Sequence, residues 1–233
     1  MPAVSARDTE RALAVRESRR RTPDPPARWR VARGDGSFLA AANYAVGHHP
    51  VTLASGDFNG DRKSDLAVVN QTDHTISILL GGHFGDPPVT YNVGNNPVGI
   101  VAADLHQKGI IDFAVVDGTS SVVNIFLGGG NGTTFGSAGP TTPIAGSSPT
   151  AITAGDFDGN GKIDLAVTNS GNDTVSIFYG TGDGLFSSPS SYAVGRNPRA
   201  LAADDFDAAG NLDLVVSSLG AGLSVLLNSG CVP

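Results

Sequence analysis

The chain has 233 residues and a formal net charge of −7, and its charges are unevenly distributed. Residues 1–33 hold nine Arg against four acidic residues, whereas the remainder holds six Lys or Arg against 18 Asp and no Glu. Because an acidic body repels phosphate, this composition argues against nucleic acid as a partner. No apolar run is long enough to form a transmembrane helix. The single cysteine, Cys231, excludes an intrachain disulfide framework.

The N-terminal segment, residues 1–33, is rich in Arg and Pro and has no sustained hydrophobic period. We predict that it is disordered, as a linker ahead of the domain or as a basic anchor. It lacks the apolar core of a secretory signal peptide, so the sequence predicts no export signal there.

From residue 34 onward, a pattern of about fifty residues occurs four times, which indicates a repeat architecture. Each unit contains a Gly-rich turn with Phe, an outer strand, a Gly-x-x-Pro link, a strand of small residues, an acidic loop and two further strands. The approximate units are 34–81, 82–131, 132–181 and 182–228.

Four short strands in each unit, joined by tight turns, are typical of a β-propeller blade. We therefore predict an all-β fold, a propeller of four roughly 50-residue blades spanning residues 34–233. The pattern begins with an outer strand at about 38–46 that has no blade of its own, and ends after a third strand at 223–227. Pairing these two strands would complete the last blade and give a monomer; the rival prediction is a partial ring or a dimer.

The acidic loops carry oxygen-bearing side chains at positions 1, 3, 5 and 9 of nine residues. Ca²⁺ takes six to eight oxygen ligands, so this recurring spacing predicts calcium sites. Position 12 is Val in every copy and a strand follows, which excludes an EF-hand. The predicted ligands are Asp57, Asn59, Asp61 and Asp65 in the first copy, Asp156, Asp158, Asn160 and Asp164 in the third, and Asp205, Asp207 and Asp213 in the fourth.

Two loops depart from this pattern. In the fourth, Ala209 replaces the position-5 ligand, which predicts weaker binding. In the second, His106 and Lys108 stand at positions 3 and 5 between Asp104 and Asp112. We expect no calcium in that loop, and we expect the Lys108 ammonium to lie near the two carboxylates. For all four loops the alternative is a turn held by its own side-chain hydrogen bonds.

The Gly-Asp-Phe-Asn-Gly-Asp loop at Gly56–Asp61, the Phe-containing turns and the Gly-x-x-Pro links resemble FG-GAP (VCBS-type) repeats, which are related to the integrin α-subunit propeller. The resemblance covers about 195 residues, from Gly34 to Asn228. It implies a Ca²⁺ site in the hairpin between the first and second strands of a blade, and an extracellular or cell-surface binding role. The chain departs from the family pattern in having four units rather than about seven, and in lacking a literal Gly-Ala-Pro.

The Gly-x-x-Pro links differ among the repeats, and variable loops on a regular scaffold are where recognition residues are expected. We predict that the links lie on the propeller face opposite the acidic loops and bind an unidentified protein or carbohydrate. No unrepeated constellation suited to catalysis is present, so we expect a non-enzymatic protein; the alternatives are the binding portion of a secreted polysaccharide-active enzyme and a truncated propeller without independent activity. The candidate contact residues are His48, His49, Asn95, Asn96, Ser147, Ser148, Arg196 and Asn197.

Overall fold

The computed structural model describes residues 40–137, 142–143 and 146–230. The chain divides into the units Met1–Ala42 and Asn43–Pro233. Of the first unit only residues 40–42 are described, and they form neither helix nor strand. The predicted disorder of residues 1–33 lies outside the described residues. No helix long and apolar enough to cross a bilayer occurs in the described part of the chain.

The described residues of the second unit form four antiparallel sheets that follow one another along the chain, and each is a blade. Blade 1 contains β1 (Pro50–Gly56), β2 (Asp65–Asn70), β3 (Thr75–Leu79) and β4 (Val89–Asn92). Blade 2 contains β5 (Pro97–Ala103), β6 (Asp112–Asp117), β7 (Val122–Gly128) and β8 (Phe135–Ser137), with the short β9 (Thr142–Pro143) also paired to β7. Blade 3 contains β10 (Pro149–Gly155), β11 (Asp164–Asn169), β12 (Thr174–Phe178) and β13 (Ser190–Ala193). Blade 4 contains β14 (Pro198–Asp204), β15 (Asp213–Ser218) and β16 (Gly222–Leu226). The predicted all-β propeller architecture is confirmed.

Consecutive blades pack face to face through their first strands, β1 on β5, β5 on β10 and β10 on β14. Between blades 1 and 2 the core includes Phe58, Ile76 and Phe113, with Phe113 and Phe135 ring centroids 4.5 Å apart. Similar apolar clusters fill the interface between blades 2 and 3 and the interface between blades 3 and 4. Burying one such large side chain contributes roughly 1.5–3 kcal/mol, so these interfaces hold the series together.

The second strands of blades 2 and 3 lie deepest because neighbouring blades cover both of their faces. β6 and β11 are buried along their whole length. This explains their continuous runs of β-branched and aromatic residues, since a strand with no solvent face has no polar alternation. In every blade the register between the first and second strands shifts just after the leading Pro, which has no N–H to donate to the ladder.

Closure of the last blade by the N-terminal strand is not seen among the described residues. Residues 40–47 form no strand, and β16 pairs with β15 in a three-stranded sheet. The remainder of the predicted strand, Phe38 and Leu39, lies outside the described residues.

Candidate metal and ligand sites

All four acidic loops share one backbone conformation. Positions 4 and 6 are left-handed in every copy, with φ between 54° and 89°. Glycine occupies five of these eight places, which suits a conformation that costs other residues roughly 1–2 kcal/mol. The other three residues adopt it too, so the loop keeps its shape where the sequence has changed. Those residues are Arg62, Gln107 and Ala208.

The aspartate at position 9 connects the loop to the rest of its blade. In the third copy one carboxylate oxygen of Asp164 accepts the Phe157 N–H at 2.8 Å, and the other accepts the Gly180 N–H at 2.8 Å. Each of its counterparts accepts the corresponding two N–H groups, one within the loop and one at or just after the end of the third strand. These aspartates are at most 1% exposed, so the position has a structural role whether or not it binds a metal. The counterparts are Asp65, Asp112 and Asp213.

The third loop brings three carboxylates together. Asp156, Asp158 and Asp164 each offer one oxygen, and these oxygens lie within 4.8 Å of one another. Burial raises the pKa of Asp164, against the two N–H donors that lower it, and the charges of Asp158 and Asp156 raise it further. The fourth predicted ligand, Asn160, donates its amide N–H to Asp158 at 2.9 Å. Carboxylate oxygens are hard donors, so this group fits a hard divalent cation.

The fourth loop has the same arrangement with one ligand fewer. Asp205, Asp207 and Asp213 also place three oxygens within 4.8 Å of one another. The Ala209 N–H donates to Asp205 at 3.1 Å and to Asp207 at 3.0 Å, as the Asn160 N–H does to Asp156 and Asp158. Ala209 therefore stands where a fourth ligand would stand, but it offers no side-chain oxygen.

The first loop is arranged differently. Asp57, Asp61 and Asp65 do not form a group of three oxygens within 4.8 Å, although the structure describes the whole loop. Asp61 instead accepts the Lys63 ammonium at 2.9 Å and the Lys63 backbone N–H at 2.9 Å. These hydrogen bonds lower the pKa of Asp61. Asn59 accepts the Asp61 N–H at 3.0 Å, so the predicted ligands act here mainly as turn acceptors.

The second loop holds an imidazole between its carboxylates. The buried His106 ring lies with Nδ1 2.7 Å from Asp112 and 3.5 Å from Asp104. The expectation that the Lys108 ammonium occupies this place is wrong, because within the described residues Lys108 contributes only its backbone N–H to Asp104, at 3.0 Å. The His106 side chain at position 3 is buried against the carboxylates, whereas Lys108 is exposed. Geometrically, Asp104, His106 and Asp112 also form a group with ligand atoms within 4.8 Å of one another.

The links lie at the opposite end of the first strands from the acidic loops. Each first strand begins at the Pro of its link and ends just before a loop, so the length of a seven-residue strand lies between the link and the loop. His48, His49, Asn95, Ser147, Ser148 and Arg196 are exposed there, while Asn96 and Asn197 are half-buried. The predicted contact residues are thus brought to one end of the blades.

The links are held by acidic residues that the sequence analysis did not single out. Asp73 accepts the His48 N–H at 2.7 Å and lies 2.8 Å from its ring nitrogen, and Asp173 accepts the Asn197 N–H at 2.7 Å. Backbone and side-chain hydrogen bonds from His48 lower the pKa of Asp73. Asp117 accepts N–H groups from Asn95 and from the following turn. Asp73 and Asp173 lie in the turns after the second strands of blades 1 and 3, whereas Asp117 is the last residue of β6.

Comparisons with known proteins agree with this geometry. The model of the FG-GAP-like repeat family matches residues 104–167 and 156–216. A search of curated proteins gave no match.

Several solved structures share the fold. A BBS1N–ARL6DN complex matches with a TM-score of 0.54 at 13% identity, covering 81% of this chain and 59% of that one. An Agrocybe aegerita lectin that recognises non-reducing terminal N-acetylglucosamine matches with a TM-score of 0.54 at 21% identity, covering 78% and 50%. A Lactobacillus plantarum protein matches with a TM-score of 0.51 at 14% identity, covering 82% and 58%. The chain therefore spans between half and three fifths of the length of these structures.

The repeated loop frame, the blade topology and the family match agree with one another. The chain has a β-propeller fold, and its residues 104–216 match the FG-GAP-like repeat family.

Proposed function

We propose that this chain is a calcium-binding propeller module that acts outside the cell and binds a glycan or a protein without catalysing a reaction. The observation that supports the metal most directly is the grouping of three carboxylate oxygens in the third and fourth loops. Ca²⁺ suits such oxygen ligands and irregular geometry, whereas Mg²⁺ demands near-ideal octahedral geometry and gives up its waters reluctantly.

The metal would act on stability rather than on chemistry. Carboxylates held close together at neutral pH repel one another, and a bound divalent cation would offset that repulsion. In this proposal Asp156, Asp158 and Asp164 hold the ion in the third loop, and Asp205, Asp207 and Asp213 hold a more weakly bound ion in the fourth. The affinity expected of extracellular calcium modules is on the order of 10⁻⁴–10⁻³ M.

Calorimetric titration with CaCl₂ and thermal melts with and without EDTA test the metal. We expect calcium to raise the melting temperature of the wild type and Mg²⁺ to substitute poorly. Asp158→Ala should remove the third-loop site without disturbing the two hydrogen bonds of Asp164. Asp86→Ala is the matched control, because Asp86 is an exposed aspartate outside all four loops. A melt that EDTA leaves unchanged, with no calcium heat, would refute the assignment.

The ligand-binding part of the proposal depends on the links. They are exposed, they differ in sequence, and hydrogen bonds to Asp73, Asp117 and Asp173 hold them in place. Such variable loops on a rigid scaffold are suited to recognition. The lectin with the same fold makes a glycan a reasonable first ligand class to screen. The rival roles are the binding portion of a polysaccharide-active enzyme and a propeller without independent activity.

A glycan-array screen with calcium and with EDTA tests this part, followed by assays on polysaccharides for the enzyme alternative. For any glycan that binds, His49→Ala and Arg196→Ala should each weaken binding, whereas Asp86→Ala should not. Full binding by both link variants would exclude the link face. An array without signal in either condition would favour the propeller without independent glycan-binding activity.

A further inference from the structure

Blade 4 exposes apolar residues whose counterparts are buried in every other blade. Leu223 is 64% exposed, Val225 is 52% exposed and Phe206 is 49% exposed. Their equivalents in blades 1, 2 and 3 are at most 8% exposed, because each packs against the blade that follows. These equivalents are Ile76, Val123 and Val175 for Leu223, Ile78, Ile125 and Ile177 for Val225, and Phe58, Leu105 and Phe157 for Phe206.

Blade 1 exposes the complementary surface at the other end of the series. Leu53 is 58% exposed on β1. Its counterparts Ile100, Ile152 and Leu201 occupy the same place in the later blades, and each packs against the blade before it. Among the described residues, therefore, one blade face of each kind lacks the neighbour that all equivalent faces have.

Blade 4 also has an open strand edge. In blades 1 and 3 the third strand pairs with a fourth, with Tyr91 opposite Ile76 and Tyr192 opposite Val175. β16 has no such partner among the described residues. The segment Tyr44–Gly47 repeats the sequence Tyr-x-Val-Gly found at Tyr91–Gly94 and Tyr192–Gly195, yet it forms no strand here. Tyr44–Gly47 thus has the sequence of a fourth strand but pairs with no sheet here, whereas the edge of β16 has no fourth strand among the described residues.

A pocket lies between blades 3 and 4, beside the open edge of β16. Between blades 1 and 2, Phe135 at the start of β8 packs against Phe58, Tyr91 and Phe113. The equivalent position between blades 3 and 4 is a pocket of about 220 Å³, lined by residues that include Phe157, Tyr192 and Leu214. These three are the counterparts of Phe58, Tyr91 and Phe113, so the pocket is the space that an aromatic residue of an added strand fills elsewhere.

We propose that a second copy of this chain docks head to tail on blade 4. Its blade 1 covers Phe206, Leu223 and Val225, and its residues 43–46 pair with β16 as the missing fourth strand. The connectivity fits this arrangement, because a fourth strand runs directly into the first strand of the next blade. The step from Asn92 to Pro97 is as long as the step from Ala45 to Pro50. The existing register then places Tyr44 of one copy opposite Leu223 of the other.

Two copies docked reciprocally would bring eight blades together, which is within the usual range of four to eight for propellers. The interface is heterologous, since each copy donates one face and receives the other, and it becomes a closed assembly when the second contact forms. Without a partner, an exposed apolar surface of this kind would favour aggregation.

Sedimentation velocity on the full chain with calcium tests the proposal first. We expect a dimer at micromolar concentration, and we expect Leu223→Asp to weaken dimerisation roughly tenfold or more while the monomer keeps its circular dichroism. Leu185→Asp is the matched control, because Leu185 is 46% exposed in a loop away from this face. A wild type that is monomeric at all concentrations, or a dimer unaffected by Leu223→Asp, overturns the proposal.

Disulfide trapping then distinguishes a second copy from the chain's own N-terminal strand. In a Cys231→Ser background, Tyr44→Cys and Leu223→Cys chains are mixed and oxidised. A covalent dimer containing one chain of each kind supports docking between copies. If mixing gives no cross-link while the double variant forms an intrachain disulfide, the chain closes its own last blade and the proposal fails.

Discussion

At the scale of single residues, the acidic loops carry backbone strain that their sequence does not require. Ala208 adopts φ 59° at a place where the first and third loops have Gly60 and Gly159. An L-residue pays roughly 1–2 kcal/mol for this conformation. The strain is retained because position 9 and the flanking strands fix the loop geometry.

Ala208→Gly should therefore stabilise the protein by about 1 kcal/mol, less the small entropic cost of the added glycine. Denaturant unfolding with the linear extrapolation method measures the difference. Ala209→Gly serves as the control, since Ala209 has no left-handed backbone to relieve. Equal effects of the two substitutions would show that the strain argument is wrong.

Asp117 offers a second test at this scale. Burial raises its pKa, but N–H donors from Ser120, Asn95 and Thr119 outweigh burial, so the pKa is lowered overall. A carboxyl whose pKa is lower in the folded state stabilises the fold above its unfolded pKa. That stabilisation is lost as the pH falls through the folded pKa.

Asp117→Asn should consequently destabilise the protein at neutral pH by about 1 kcal/mol, and the difference from wild type should shrink below pH 4. Urea unfolding at pH 7 and at pH 3 measures both values. Asparagine is tolerated at this place, since Asn70 and Asn169 occupy it in blades 1 and 3. A difference that stays constant with pH would mean that the charge of Asp117 contributes nothing.

At the scale of elements, the four acidic loops differ from one another in features that repeat spacing can predict and in features that it cannot. The strand order, the four blades and the grouping of the third and fourth loops followed from spacing, because backbone frame and register depend on local sequence. The orientation of Asp61 did not, since Lys63 competes for it two residues later. Nor did the burial of His106, which depends on packing that spacing does not encode.

A substitution at position 5 of the fourth loop tests whether adding a side-chain oxygen to the existing backbone conformation strengthens calcium binding. Ala209→Asn would give the fourth loop the side-chain amide that Asn160 has at the same position of the third loop, on the same backbone conformation. We expect calcium affinity at the fourth loop to tighten by roughly three- to tenfold, measured by calorimetry in an Asp158→Ala background that removes the third-loop site. Adding Asp207→Ala should abolish the gain, and a gain that survives this change would place the ion elsewhere.

At the scale of the whole molecule, the blades form a linear series in which each contacts mainly its neighbours. Stability in such arrays is a sum of unit and interface contributions. In the part of the chain that the structure describes, blades 2 and 3 each have two interfaces, whereas blade 4 has one and leaves Leu223 and Val225 in solvent. Blade 4 is also the blade in which the structure describes only three strands, so it has the fewest contacts with which to resist local opening.

Hydrogen exchange on the dilute protein should reflect this difference. Amides of β6 and β11, which are buried along their whole length, should exchange slowest and approach the global unfolding free energy. Amides of β16 should exchange fastest among the strands, because its burial is slight and its edge is open. Mass-spectrometric exchange on peptic peptides measures both, and the wild type can be compared with Leu223→Asp at equal dilution.

At high protein concentration the β16 amides of the wild type should gain protection, while those of Leu223→Asp stay fast. Uniform exchange across all four blades at low concentration would instead mean that the chain unfolds as one cooperative unit, with no weak end.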